Sequence, residues 1–184
     1  QFREALSKQN VDLDLVVRKT VDNVGPRLLI VGDTIVDQYV ACDPVGMSNE
    51  APVIVVKELE ARNYLGGAAI VAAHVAALQA QATFLSVNGG DENAEFVEST
   101  LKDLGVKTQF IEDQSRPTTF KIRYMVENQK LFRVSRLKEH SISKEKEELA
   151  IKIIRERAKE VDSILVCDFV YGMITSRIVD VIHE

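Results

Sequence analysis

The chain has only two cysteines, no excess of basic residues and no long apolar run. Cys42 and Cys167 are too few and too far apart for a disulfide framework or a zinc knuckle, which points to a reducing compartment. Neither has a neighbouring histidine that would mark an activated thiolate, so both read as packing residues. The 23 Lys and Arg are outnumbered by 28 Asp and Glu, for a formal charge of −5. This excludes the broad positive footprint on which nonspecific nucleic-acid binding depends. A small phosphorylated ligand needs only a few local cations and stays open. No stretch approaches the ~20 apolar residues of a membrane span, and Gln1-Phe2-Arg3-Glu4 lacks the basic and apolar regions of a signal peptide. A cytoplasmic protein, with neither membrane nor nucleic acid as partner, is the expectation. Internal repeats and low-complexity tracts are absent, and so are a Gly-Lys-Ser/Thr phosphate loop and a Gly-x-Gly-x-x-Gly fingerprint.

What is present is 184 residues, 46% of them hydrophobic, enough for one core and short of two comfortable domains. The chain does not open with Met and stops at Val181-Ile182-His183-Glu184 inside a helical pattern, so further sequence is expected at both ends. Phe2 to Val24 places Phe2, Leu6, Leu13, Val16, Val17 and Val21 among charges, predicting one or two short amphipathic helices, and residues 1–26 read as an extension or linker. Arg27 to Val31, ending in Gly32-Asp33, has the pattern of a buried parallel strand. Val40 to Val45 and Val53 to Val56 are β-branched runs separated by Pro44, Gly46 and Pro52, and read as two strands joined by a loop. Gly66-Gly67 opens an alanine-rich helix, Ala68 to Ala80. A strand (Ala82 to Val87), a helix (Glu92 to Leu104, stopped by Gly105) and a strand (Val106 to Ile111) follow. This alternation predicts an α/β fold. Thr118 to Val126 and Lys130 to Leu137 then alternate polar and apolar residues around Glu127-Asn128-Gln129, as a hairpin with one exposed face does. Ser143 to Val161 reads as a charged helix with Leu149, Ile153 and Ile154 on its buried side and a solvated run from Lys144 to Glu148. Ser163 to Cys167 is a last short strand ending in Asp168.

Several residues could carry chemistry. Asp33 and Asp37 follow the first strand, and ligands of open α/β sheets lie beyond the carboxyl ends of strands. A carboxylate there can accept hydrogen bonds from sugar hydroxyls; alternatively, Asp33 caps a turn and Asp37 is a surface acid. Gly66 and Gly67 would let backbone approach a ligand closely at a helix N-terminus, or serve tight packing of helix on sheet. Lys121, Arg123, Arg133 and Arg136 lie on the predicted hairpin, where alternation puts Lys121 and Arg123 on one face. Such cations can hold a phosphate or sugar acid; they can equally protect a sheet edge from aggregation. His74, among Ala and Val, has no partner at metal-ligand spacing and reads as structural. Asp168, at a strand end, can meet a metal, a phosphate-bound water or a ligand hydroxyl, or cap the segment that follows.

Taken in order, these pieces resemble the first part of a ribokinase-like (PfkB-type) carbohydrate kinase, most closely the heptose-7-phosphate kinase branch. The residues that carry the resemblance are Gly32-Asp33 with Asp37 and Tyr39, Ser48-Asn49-Glu50-Ala51-Pro52-Val53, and Gly66-Gly67-Ala68-Ala69. They continue with Ser115-Arg116-Pro117-Thr118-Thr119, Lys121-x-Arg123, Gln129 with Leu131 and Arg133, and Cys167-Asp168-Phe169-x-x-Gly172. The resemblance spans about Arg27 to the end of the chain. It implies a three-layer α/β sandwich with a small β-lid, built from strands near 38–58 and 117–137. It also implies ATP-dependent transfer of a phosphoryl group to a sugar hydroxyl, with Mg2+. Asp37, Gly66 and Gly67 would bind the sugar, Lys121, Arg123 and Arg133 a substrate phosphate, and Asp168 a phosphate or metal-bound water. A homodimer through the lid is implied as well.

Three departures qualify this. Ile70 stands where the family commonly has a sugar-holding Asn, and Tyr171 where the heptose kinases typically have Lys. The Gly-Ala-Gly-Asp-type motif that supplies the catalytic base and anion hole, and the nucleotide site, do not occur in these 184 residues. The base is therefore expected beyond Glu184, and residues 27–184 read as the N-terminal part of a kinase domain, truncated at its C-terminus and inactive alone. The competing expectation, favoured by Ile70 and Tyr171, is a noncatalytic sugar-phosphate-binding or dimerisation module, with fusion to a nucleotidyltransferase-type enzyme a further possibility.

Overall fold

The computed structural model describes residues 25–184 together with Asp12. The helical reading of Phe2 to Val24 lies outside them. The uninterrupted apolar run Leu28 to Val31 forms β1 (Arg27–Gly32), the centre of a four-stranded parallel sheet. Its neighbours are β4 (Gln81–Asn88) on one side and β8 (Ser163–Cys167) on the other, with β5 (Lys107–Glu112) beyond β4. Leu29, Ile30 and Val31 are fully buried, as a strand covered on both faces must be. Side chains alternate between faces. Ile30 packs with Ala68, Ala72, Val97 and Leu101, whereas Leu29 and Val31 pack with Ala150, Ile151, Ile154 and Ile178. The first set belongs to helices α1 (Gly67–Ala77) and α2 (Glu92–Asp103), the second to α3 (Lys144–Arg157) and α4 (Ser176–His183). The result is the expected helix, sheet, helix layering.

A second four-stranded sheet has the order β3, β2, β6, β7, formed by β2 (Thr34–Met47), β3 (Ile54–Gly66), β6 (Thr119–Val126) and β7 (Gln129–Arg136). β2 pairs antiparallel with β3 and parallel with β6, and β6 pairs antiparallel with β7. One face of this sheet buries Val36, Val40, Cys42, Phe120 and Ile122 in the same cluster as the alanines of α1. Those small side chains let α1 lie against β1, β2 and β4 together.

Several boundaries differ from the sequence expectations. β2 and β3 are far longer than the β-branched runs at 40–45 and 53–56. β2 runs through Pro44 and Gly46 with register shifts at Ala41/Cys42 and Pro44/Gly46, because bulges absorb residues that a regular ladder would reject. β3 includes Lys57, Glu58, Glu60 and Arg62 and is exposed over nearly its whole length, so no apolar alternation announces it. α1 ends at Ala77 rather than Ala80, where Gln79 adopts φ +65. α3 ends at Arg157 instead of Val161, and Leu149 is 47% exposed; Glu147, Ala150, Ile151 and Ile154 form its buried side.

Candidate functional site

The period-two alternation of the second sheet assembles one polar face. Asp37 on β2 lies opposite Tyr64 on β3 and beside Lys121 on β6; Tyr39 lies beside Arg123, and Arg123 lies opposite Arg133 on β7. All six side chains therefore share a face. The Arg123 guanidinium is ion-paired with the Asp37 carboxylate in a half-buried setting, and its Cζ is 5.3 Å from the centre of the Tyr39 ring. Tyr39 meets Tyr64 edge to face at 5.6 Å, a favoured aromatic geometry. Asp37, Tyr39, Tyr64 and Leu65 line an open cavity of about 460 Å³. A second cavity of similar volume, lined by Arg27, Lys107 and Arg157, lies at the amino ends of the parallel strands, away from these residues.

Of the two purposes that the sequence left open for the glycines, the geometry shows the tight packing directly. A Cβ on Gly66 would stand 2.6 Å from Asp37 Oδ2, and one on Gly67 would stand 2.5 Å from the Asp33 carbonyl oxygen. Gly67 also has φ +56, in the left-handed region that favours glycine. The N–H of Ala68 is taken by that Asp33 carbonyl, so the start of α1 is packed against β2 while Gly66 borders the polar face. Ile70 is partly buried against the α1 core cluster, and His74 is exposed.

Asp33 has a role that neither sequence reading anticipated. Its carboxylate is buried and accepts hydrogen bonds from the N–H groups of Phe169 (2.9 Å), Tyr171 (3.3 Å) and Met173 (3.0 Å). It tethers the loop after β8. Asp168 itself is exposed and accepts from the Val170 N–H at 2.8 Å, closing an Asx turn. The helix that follows is α4, capped by Thr175, so the capping role considered for Asp168 is replaced by this turn.

Arg116, noted in the sequence only as part of a motif, is the second clamp on that loop. It is buried and donates from Nε to Asp113 (2.9 Å), from Nη1 to the Tyr171 carbonyl (2.8 Å) and from Nη2 to the His140 carbonyl (2.7 Å). Burial works against the Asp113 carboxylate, yet the Ser115 hydroxyl and N–H and the Arg116 guanidinium outweigh it and hold the pKa below the usual carboxylate range. Lys121 completes the crossing from lid to loop, with its Nζ 4.8 Å from the centre of the Tyr171 ring. No motif reveals the Tyr171 and His140 partners of Arg116, since they are backbone carbonyls far along the chain. Tyr64 was missed because the charged outer part of β3 did not read as strand. Burial pushes the thiols of Cys42 and Cys167 up, in keeping with packing roles. Among the described residues no cluster of three or more His, Cys, Asp or Glu could hold a metal, and no helix is long and apolar enough to cross a membrane.

Comparison with known proteins identifies the architecture. The chain is 35% identical over 153 residues to the bifunctional protein HldE of Campylobacter jejuni subsp. doylei, covering 83% of this chain and 32% of that protein. It is 35% identical over 148 residues to the D-beta-D-heptose 7-phosphate kinase of Bordetella bronchiseptica, covering 80% and 47%. Among solved structures, the ribokinase of Arabidopsis thaliana complexed with ribose and ATP matches with a TM-score of 0.54 at 18% identity, over 77% of this chain and 45% of that one. The fold is thus the ribokinase-like α/β sandwich with its lid sheet, and the chain spans a third to a half of the length of these relatives. Residues 26–173, which include both sheets and every residue of the polar lid face, match the pfkB family carbohydrate kinase, and the chain belongs to that family.

Proposed function

We propose that this chain is the sugar-binding and lid part of a kinase that transfers a phosphoryl group from ATP to a hydroxyl of a sugar phosphate, with a heptose 7-phosphate as the best-fitting substrate. The observation that carries the reading is the charge on the lid face. Lys121, Arg123 and Arg133 share it with the Asp37 carboxylate, Arg62 and Glu60 farther out on the same face neutralise each other in an ion pair, and Arg123 stands directly across the strand pair from Arg133. Like charges directly opposite one another destabilise a sheet, so the arrangement calls for an anion, and guanidinium forks suit phosphate oxygens. The name of one curated relative, a D-beta-D-heptose 7-phosphate kinase, supports a heptose phosphate.

In this reading Asp37 accepts a sugar hydroxyl on lone pairs that Arg123 leaves free. Gly66 and Gly67 let the sugar approach the backbone, the three lid cations hold the substrate phosphate, and Asp168 meets a phosphate-bound or metal-bound water. Phosphoryl transfer depends mainly on positioning and charge stabilisation under a closed cover, and this half supplies the positioning. In this reading ATP, Mg2+ and the catalytic base are held by the part of the kinase that the chain, a third to a half of the length of its relatives, does not span. Residues 27–184 are then the N-terminal part of the kinase domain, in the cytoplasm. Val45, Met47, Val53, Ile54 and Leu59 are exposed on the outer part of the β2–β3 hairpin, and an apolar surface of this kind supports a homodimer through the lid.

A second reading, a noncatalytic sugar-phosphate-binding module, is favoured by Ile70 and Tyr171. ATP consumption by the full-length protein, measured against a panel of sugars and sugar phosphates, separates the two. Turnover with a phosphorylated heptose that is lost in Asp37→Ala supports the kinase. Binding without turnover supports the module, and turnover that survives Asp37→Ala removes the proposed role of Asp37.

A further inference from the structure

The loop between β8 and α4 is held in a conformation its residues would not choose. Val170 has φ +64 and Gly172 φ +91, and a β-branched residue enters the left-handed region only under constraint. The constraint lies on both sides of Tyr171. Its N–H donates to Asp33, as do those of Phe169 and Met173, while its carbonyl accepts from Arg116. A Cβ on Gly172 would lie 2.2 Å from the His140 carbonyl oxygen, so the loop is closely seated. What this clamping presents to the lid is the Tyr171 ring, with the Lys121 ammonium over its face.

We propose that Tyr171 is a specificity-determining residue of the sugar site: it positions Lys121 over its ring, beside Asp37, and thereby sets how strongly the site prefers a phosphorylated sugar to its unphosphorylated form. The inference rests on the reading of the lid cations as phosphate contacts. Lysine is a point charge on a flexible stem and is poorly preorganised by itself. A carboxylate partner would fix it but would also neutralise it and compete with the substrate phosphate. A ring face attracts the ammonium through its quadrupole and leaves its charge and outward N–H groups for an anion. Arg123 already has the carboxylate of Asp37; Lys121 has the ring instead. The replacement of lysine by tyrosine at 171 then does not abolish phosphate recognition, since a second ammonium there would repel Lys121 and the aromatic ring orients it.

The test uses the full-length protein and the variants Tyr171→Phe, which keeps a ring face, and Tyr171→Leu, which keeps bulk without one. With a heptose 7-phosphate and the corresponding heptose as substrates, Tyr171→Phe should stay within about twofold of the parent for both, while Tyr171→Leu should raise KM for the phosphate ester about five- to tenfold. kcat and the KM for the unphosphorylated heptose should hold within about twofold. Equal losses for both sugars, or no loss in Tyr171→Leu, would overturn the proposal while leaving the kinase reading intact. If the parent turns over neither sugar, the kinase reading fails, and the proposal is decided by the Lys121 side-chain resonances during titration with inorganic phosphate. These should shift in the parent and in Tyr171→Phe and not in Tyr171→Leu, and an identical response in all three overturns it.

Discussion

Replacing Arg116 by methionine removes three hydrogen bonds and one member of a buried ion pair while roughly preserving side-chain bulk. Arg116 and Asp113 have side chains only 5% exposed. The variant therefore leaves the Asp113 carboxylate buried with only the Ser115 hydroxyl and N–H as donors, and the Tyr171 and His140 carbonyls without their guanidinium partner. Breaking a buried pair from one side costs about 3–5 kcal/mol, a large share of the ~5–15 kcal/mol that holds an ordinary domain folded. Removing the second charge as well, in Asp113→Asn with Arg116→Met, eliminates the stranded carboxylate. The double variant should recover part of the loss, with a coupling of about 1–3 kcal/mol. Urea denaturation of the four proteins of this cycle, followed by circular dichroism, reads both quantities as shifts in the midpoint at constant slope. A loss below about 1 kcal/mol for Arg116→Met, or strict additivity in the cycle, would mean that the pair is effectively solvated and does not clamp the loop after β8.

Other expected outcomes concern the lid and the acids. Gly66→Ala drives a methyl group against Asp37 Oδ2 and should weaken sugar binding with little change in unfolding midpoint; unchanged binding by calorimetry would separate Gly66 from the site. Arg133→Ala relieves the cross-strand repulsion with Arg123 and should stabilise the ligand-free protein by up to about 1 kcal/mol while weakening binding of the phosphorylated sugar; a loss of stability without a loss of binding contradicts the anion site. Glu147 is held below the ordinary carboxylate range by the Thr175 hydroxyl, against the opposing effect of burial, and by Arg177. A depressed folded-state pKa gives stability that is fully present above the unfolded carboxylate value and is lost as pH falls through the folded one. Glu147→Gln should therefore be less stable than the parent at neutral pH, with the gap closing in acid, and a pH-independent gap in thermal melts would refute the assignment.

The parallel sheet was legible in the sequence because Leu28 to Val31 and Ala82 to Val87 are buried on both faces, and such strands read as unbroken apolar runs. The outer lid was not, because β3 from Lys57 to Tyr64 is solvated and its ladder is made of backbone bonds that charged side chains do not advertise. The face shared by Lys121 and Arg123 follows from alternation alone. Arg133 joining them depends on the register of β6 against β7, which the hairpin turn sets. The roles of Asp33 and Arg116 were not legible for one reason. Each satisfies backbone groups in a loop remote in sequence, and residue type gives no sign of such partners. Leu149 was assigned to the buried side of α3 from its apolarity, but the phase of the helix gives that position to Glu147, whose carboxylate is satisfied by Thr175 and Arg177.

The account stands most directly on phosphate recognition by the lid face. The decisive measurement is kcat/KM of the full-length protein for a heptose 7-phosphate against the same heptose without its phosphate, in the parent and in a variant carrying both Arg123→Ala and Arg133→Ala. The account predicts a strong preference for the phosphate ester that collapses in the double variant while the activity on the free heptose falls far less. Equal use of the two sugars by the parent, or equal losses on both in the variant, would contradict it.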